Sequence, residues 1–170
     1  MNKRTALLLL LAVIPWLFGC SHSAWTTETA KNGGFEYAFP EGYSLPEDVD
    51  PEWDLAMEDR KLNKAFFLFF YPKDDVAGYA AEDILAFHAA EIQEKTESVL
   101  WSKTGGGNLL GEVYKNTHGG AVMASFLSVM TVDEGYLFTM QTCPFDDMAK
   151  NEREFHEIIN SVVARGREQS

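Results

Sequence analysis

Ala65-Phe66-Phe67-Leu68-Phe69-Phe70-Tyr71 is an unbroken apolar run of seven residues. Its length suits a strand, and its aromatic rings favour a sheet. The absence of polar alternation predicts a strand covered on both faces. Lys64 before it and Pro72-Lys73 after it are gatekeepers against aggregation. A second long apolar stretch, Ala121–Val132, makes the same demand for cover on two sides.

Working outward, Phe35-Glu36-Tyr37-Ala38-Phe39 alternates as a strand does and ends in the turn Pro40-Glu41-Gly42-Tyr43. Residues 53–58 alternate weakly and predict another strand. From Tyr79 to Glu97 the spacing of Ala81, Ile84, Leu85, His88 and Ile92 predicts a helix with one apolar face. Glu82 and Asp83 sit in its first turn, where the helix dipole favours negative charge. Thr104-Gly105-Gly106-Gly107-Asn108 reads as a loop. Strands over 110–117, 121–132 and 136–142 follow, joined by His118-Gly119-Gly120 and Asp133-Glu134-Gly135. Short links containing Gly are hairpin signals, so this is an antiparallel meander. A last helix is expected from Asp146 or Asp147 to Ala164, with Phe155, Ile158, Ile159 and Val162 on its apolar face. The order β-β-β-α-β-β-β-α predicts an α+β domain: a mostly antiparallel sheet with helices on both faces.

This layout resembles the PsbP-like fold, and within it the DcrB-type envelope lipoproteins. The likeness rests on Phe39-Pro40-Glu41-Gly42-Tyr43, the mid-chain helix, the meander with Gly135-Tyr136 opening its last strand, and the closing Ile158-Ile159-Asn160-Ser161-Val162. The resemblance implies adaptor, chaperone or assembly proteins that are mostly not enzymes, and it offers no catalytic motif to carry over.

The chain has 170 residues, 46% hydrophobic and 24% charged, with a formal net charge of −12. This is a globular composition of one-domain length. The acidic balance argues against nucleic acid, because phosphate binding needs a Lys/Arg surface.

Residues 1–19 read as a signal peptide. Lys3 and Arg4 precede the apolar run from Ala6 to Gly19, which is interrupted by Pro15 and too short for a comfortable membrane span. The run ends Leu17-Phe18-Gly19-Cys20, which resembles the lipobox of bacterial lipoproteins, although Phe18 fills a slot usually held by a smaller residue. The resemblance implies cleavage before Cys20 and lipid attachment at Cys20. Two or more acyl chains give stable anchoring where one does not. Ser21, rather than Asp, at the next position resembles an outer-membrane destination in a Gram-negative cell. The mature charge of −14, after loss of Lys3 and Arg4, opposes contact with anionic lipids. The chain is therefore expected to hold to a membrane, facing periplasm or exterior, by its lipid alone. Residues 20–34 read as the lipidated Cys and a flexible tether, with an end-to-end distance of about 20 Å for Ser21–Gly34. Trp25 is its exception, a ring for the membrane interface or for the domain. Residues 35–166 form the domain and 167–170 a tail. With Cys20 acylated, Cys143 has no disulfide partner and is expected in the core.

The search for chemistry yields no catalytic residue, no metal site and no cofactor. Asp48, Asp50, Glu52 and Asp54 alternate, and eight acidic residues lie between Glu41 and Asp59. The spacing partly matches a calcium loop, but Trp53 stands where Gly is needed and Pro51 stiffens the centre, so a solvated acidic loop is the plainer reading. His156-Glu157-Ile158-Ile159-Asn160 falls one ligand short of H-E-x-x-H. His88/Glu91 and Glu152/His156 have same-face spacing, but helices on opposite faces cannot bring them together. His88 is expected as a hydrogen-bonded core residue. Gly105-Gly106-Gly107 lacks the Lys-Ser/Thr of a phosphate loop. Ser125 and Ser128 are expected to bond to backbone.

The expected function is that of a non-catalytic binding module for another protein, as adaptor, assembly factor or immunity-type inhibitor. The acidic segment would suit a basic partner. The alternative is a carrier or chaperone for an apolar ligand or hydrophobic helix, motivated by 12 Phe, 6 Tyr and 4 Trp. An open groove between helix and sheet is what such a carrier needs.

Overall fold

The computed structural model of the chain describes residues 25–32, 34–48, 50–118 and 120–164. The signal peptide, Cys20 and the tail beyond 164 lie outside the described residues. The apolar run is strand β4 (Lys64–Pro72), flanked by β3 (Leu55–Asp59) and β8 (Gly135–Pro144). β5 (Glu97–Gly106), β6 (Leu109–His118) and β7 (Ala121–Val132) complete a six-stranded sheet in the order β3-β4-β8-β7-β6-β5, every pairing antiparallel. A smaller sheet, β1-β2-β9, joins β1 (Thr26–Thr29), β2 (Phe35–Phe39) and β9 (Val163–Ala164). The helices are α1 (Ala81–Lys95) and α2 (Met148–Asn160), the latter entered through a 3-10 turn at Phe145–Asp147.

The expectation of cover on both faces is met. Strand β7 sends Ala124 and Phe126 to one core and Leu127 and Val129 to the other. On the first face, Phe66, Leu68 and Phe70 of β4 pack with Phe35, Tyr37 and Phe39 of β2 and with Phe155, Ile158 and Ile159 of α2. On the second, Ala81, Ile84, Leu85 and Ala89 of α1 pack on Tyr114, Leu127, Val129 and Phe138. Each Leu, Ile, Val or Phe side chain taken fully out of water is worth about 1.5–3 kcal/mol. The two cores therefore hold the helices to opposite faces of one sheet. Strand β4 itself is less symmetric than its composition predicts: Phe66, Leu68 and Phe70 are buried, while Phe67 and Phe69 are half-buried.

Four expectations need correction. The tether assigned to 20–34 contains β1, whose residues Thr26–Thr29 pair with Thr29-facing Glu36 through Phe39 of β2. Ala30 is buried, and Lys31 N donates to Asp54 O. The run Thr-Thr-Glu-Thr has no apolar face to read, yet its backbone closes the edge of β2. The expected helix to Glu97 stops at Lys95, because Thr96 is extended and caps Ile92 O with both its N–H and its Oγ1. The chain then turns straight into β5, a strand not anticipated, and Gly105 and Gly106, expected in a loop, end it. The last helix stops at Asn160, where Ser161 donates back to Ile158 O, and Val163–Ala164 cross to β2.

Candidate functional site

The acidic segment does not converge on a cation. Asp54 is buried, and its carboxylate accepts from Asn32 Nδ2 and, at 2.6 Å, from Phe70 N. Asp59 is also buried and accepts from the N–H groups of Lys61 and Leu62, which shapes the β3–β4 turn. Asp50 accepts from Glu52 N. Glu41, Glu47, Asp48, Asp50 and Glu52 stay exposed. Among the described residues no group of three or more His, Cys, Asp or Glu side chains is placed to hold a metal.

His88 is half-buried at the centre of a polar chain. Its ring stacks on Phe138, with centroids 3.6 Å apart and planes 13° from parallel. Nδ1 faces Glu91 Oε2 at 3.1 Å, and Nε2 faces the Tyr71 hydroxyl at 2.8 Å. Burial lowers the His88 pKa from 6.5, against the pull of the Glu91 hydrogen bond and charge, with Lys95 lowering it further. The neutral ring then donates from Nδ1 to Glu91 and accepts at Nε2 from Tyr71. Burial, reinforced by Glu91, raises the Tyr71 pKa, so its hydroxyl remains a donor. His156 lies half-buried beside Phe155 on α2, across the sheet from His88. The side chain of His118 and all of His22 fall outside the described residues.

A second polar cluster lies under α2. Lys64 Nζ bonds both oxygens of Glu154 at 2.9 and 3.0 Å. Tyr43 donates to Glu154 and accepts from Gln141 Nε2. Lys64, Gln141 and Asn151 are buried. Cys143 is a free, fully buried thiol, as expected of a core residue; burial pushes its pKa up, while Asn151 and Lys64 pull it down. A neutral thiol in such a place is inert. Ser125 and Ser128 bond to side chains of neighbouring strands, Asn116 and Thr139, each at 2.7 Å, rather than to backbone.

Two surface features were not legible in the sequence. Between α1 and strands β5 and β6 runs a groove of about 520 Å³. Ala86, Ala89 and Ala90 form one wall, and Leu110 and Tyr114 lie on the sheet side. Glu112 on its flank bonds Lys103 at 2.8 Å and accepts from the Tyr114 hydroxyl at 2.6 Å. Burial acts to raise the Glu112 pKa, but these two bonds outweigh it and the carboxyl falls below its ordinary value. The second feature is β5, an edge strand whose Val99, Leu100 and Trp101 are 68%, 42% and 55% exposed. A bulge between Leu100 and Ser102 leaves Trp101 out of register, edge-on against Phe145 at 5.1 Å. Lys115 Nζ lies 4.7 Å from the centre of the same Phe145 ring. The only signal was the triplet Val-Leu-Trp between two polar stretches.

No protein-family model matches the chain, and no curated protein matches it. Solved structures do. The solution structure of cyanobacterial PsbP (CyanoP) from Synechocystis sp. PCC 6803 superposes with a TM-score of 0.61 at 16% identity, over 86% of this chain and 95% of that one. The Ran-binding protein Mog1p of Saccharomyces cerevisiae superposes with a TM-score of 0.58 at 8% identity, over 83% and 96%. Identities this low speak for the fold alone. With the six-stranded antiparallel sheet and its two helices, they establish that the chain has the PsbP-like α+β fold.

Proposed function

We propose that this chain is a lipid-anchored protein of the bacterial cell envelope, held through Cys20, that serves without catalysis as a binding module for another protein. The observation that carries the reading is the exposed Val99-Leu100-Trp101 triplet on β5. Val99 and Trp101 lie on the face of Lys115 and Phe145 and Leu100 on that of Tyr114, and large apolar side chains left exposed along an edge strand mark a contact surface. The bulge at Trp101 and the charge of Lys103 blunt pairing with an added strand, so contact runs through side chains. The five exposed carboxylates between Glu41 and Glu52 favour a basic partner by steering. One fold neighbour, Mog1p, is by its name a binding protein. Among the described residues no helix is long and apolar enough to cross a membrane. The lipobox resemblance at Leu17–Cys20 supplies the anchor.

The test is photo-crosslinking in living cells from a reactive side chain at position 101 of the full lipidated chain, with mass spectrometry of the captured species. One dominant envelope protein, lost with Val99→Ser and altered with Cys20→Ser, is the expected result. Capture that is indifferent to Val99→Ser overturns the patch as the contact.

The groove beside α1 favours a second reading, a carrier for an apolar ligand. Its volume lies in the ordinary range of ligand sites. Co-purifying lipid with no captured protein would put this reading first.

A further inference from the structure

On the α1 side of β4, away from the β5 edge, lies a smaller cavity of about 320 Å³ lined by Tyr71, Val76, Tyr79, Asp83, Ile84 and Phe87. Its make-up is unusual for surface: three aromatic rings, two aliphatic side chains and one carboxylate. Tyr79 and Phe87 are 63% and 59% exposed. Such rings cover nothing in the domain core, yet each wall is held in place. The Tyr71 ring packs on Phe69 with centroids 4.7 Å apart, and its hydroxyl is bonded to His88. The Phe87 ring stands edge-on to His88 at 5.2 Å. Tyr79 is pinned through its backbone, its N–H to Val76 O and its carbonyl accepting from the Tyr136 hydroxyl. His88, itself stacked on Phe138 and bonded to Glu91, thus touches two of the three rings.

The geometry points to a site for a quaternary ammonium ligand, with Tyr71, Tyr79 and Phe87 as an aromatic cage and Asp83 as its counter-charge. Ring faces attract cations, and several rings around one pocket are the known means of holding an ammonium that carries no N–H. An apolar lining with a single carboxylate suits that chemistry. A guanidinium brings five N–H donors, which this lining leaves largely unmet. A neutral apolar ligand has no use for Asp83. The charge around the pocket agrees in sign. The start of α1 carries about half a positive charge, but Glu82 and Asp83 each carry a full negative one in the same turn. The preceding loop adds Asp74 and Asp75 against Lys73, and the whole chain is at −12. Asp83 Oδ2 accepts from the N–H of Ala80 at 2.8 Å, and the same side chain lines the pocket.

Titration of the full chain with choline, followed by the aromatic NMR signals of Tyr71, Tyr79 and Phe87, tests the site. Saturable shifts of these rings are expected with choline and with tetramethylammonium at constant ionic strength. The neutral isostere 3,3-dimethyl-1-butanol is expected to bind about tenfold more weakly. Phe87→Ala removes an exposed ring without opening the core and should lose most of the binding, while Phe87→Tyr keeps it. Asp83→Asn retains a capping oxygen and should weaken choline but not the isostere. Equal binding of choline and its isostere overturns the proposal in favour of a plain apolar pocket. Tighter binding of N-acetyl-argininamide overturns the choice of cation. Absence of any saturable shift with choline overturns the site.

Discussion

His88 shows how little of a residue's role follows from its spacing. Its place among Ala81, Ile84, Leu85 and Ile92 predicts a hydrogen-bonded core histidine, and two such bonds are present. The partners Tyr71 and Phe138 come from strands 17 and 50 residues away, and no local pattern announces them. Its burial has a consequence for stability. The folded-state pKa lies below the ordinary 6.5, so below that pH the unfolded chain takes a proton that the folded chain resists. Stability should be full above pH 6.5 and fall as pH drops from there towards the folded-state value. Urea unfolding at a series of pH values checks this. His88→Gln should flatten the slope in that window while leaving the acid transition of the carboxylates. Asp54 and Asp59 teach the opposite lesson. They look like the rest of an acidic run but are buried backbone acceptors, which sequence charge alone cannot separate from solvated ones.

Among the elements, the strands with alternation or long apolar runs were readable to within a residue or two: β2, β4, β7 and β8. β5 was not. Its apolar residues are consecutive and outward, its end is glycine, and the helix pattern before it runs on into Glu97. An edge strand needs only one partner and no apolar face, so nothing in its composition compels the reading. Gly135 was legible as a hairpin glycine, whereas Gly107, expected in a loop, turns the β5–β6 hairpin, and the two are not equivalent. A Cβ at Gly135 would stand 2.0 Å from Tyr71 O and 3.0 Å from Lys73 N, where β8 begins beside the end of β4. Gly107, with φ of 64°, has nothing within 4 Å. Gly107→Ala should therefore cost about 1 kcal/mol from its backbone angle alone. Gly135→Ala should cost more, about 3 kcal/mol or above, because backbone must move. Denaturant unfolding of the two variants gives the order, and equal costs would contradict the close approach.

At the scale of the whole molecule, the boundary of the domain is the clearest revision. A domain beginning at Phe35 would leave β2 with one neighbour, the two-residue β9. It would also remove the Asn32 bond to buried Asp54 and the buried Ala30. A chain beginning at Phe35 should be destabilised relative to one beginning at Trp25. Comparing their denaturant midpoints checks this, and equal midpoints would restore the tether reading for all of 20–34. The amino-acid sequence by itself determined the two-sided burial of β4 and β7, the antiparallel meander and the placing of one helix on each face. These follow from hydrophobic patterning and turn residues, which act locally and leave a local trace. Only the tertiary structure decided that Thr26–Thr29 belong to a second sheet, that Val99–Trp101 form an open edge, and that Tyr71, Tyr79, Asp83 and Phe87 surround one cavity. Strand pairing through backbone, exposure at an edge and convergence of distant side chains depend on which segments become neighbours, and that is a property of the packed chain rather than of any stretch of it.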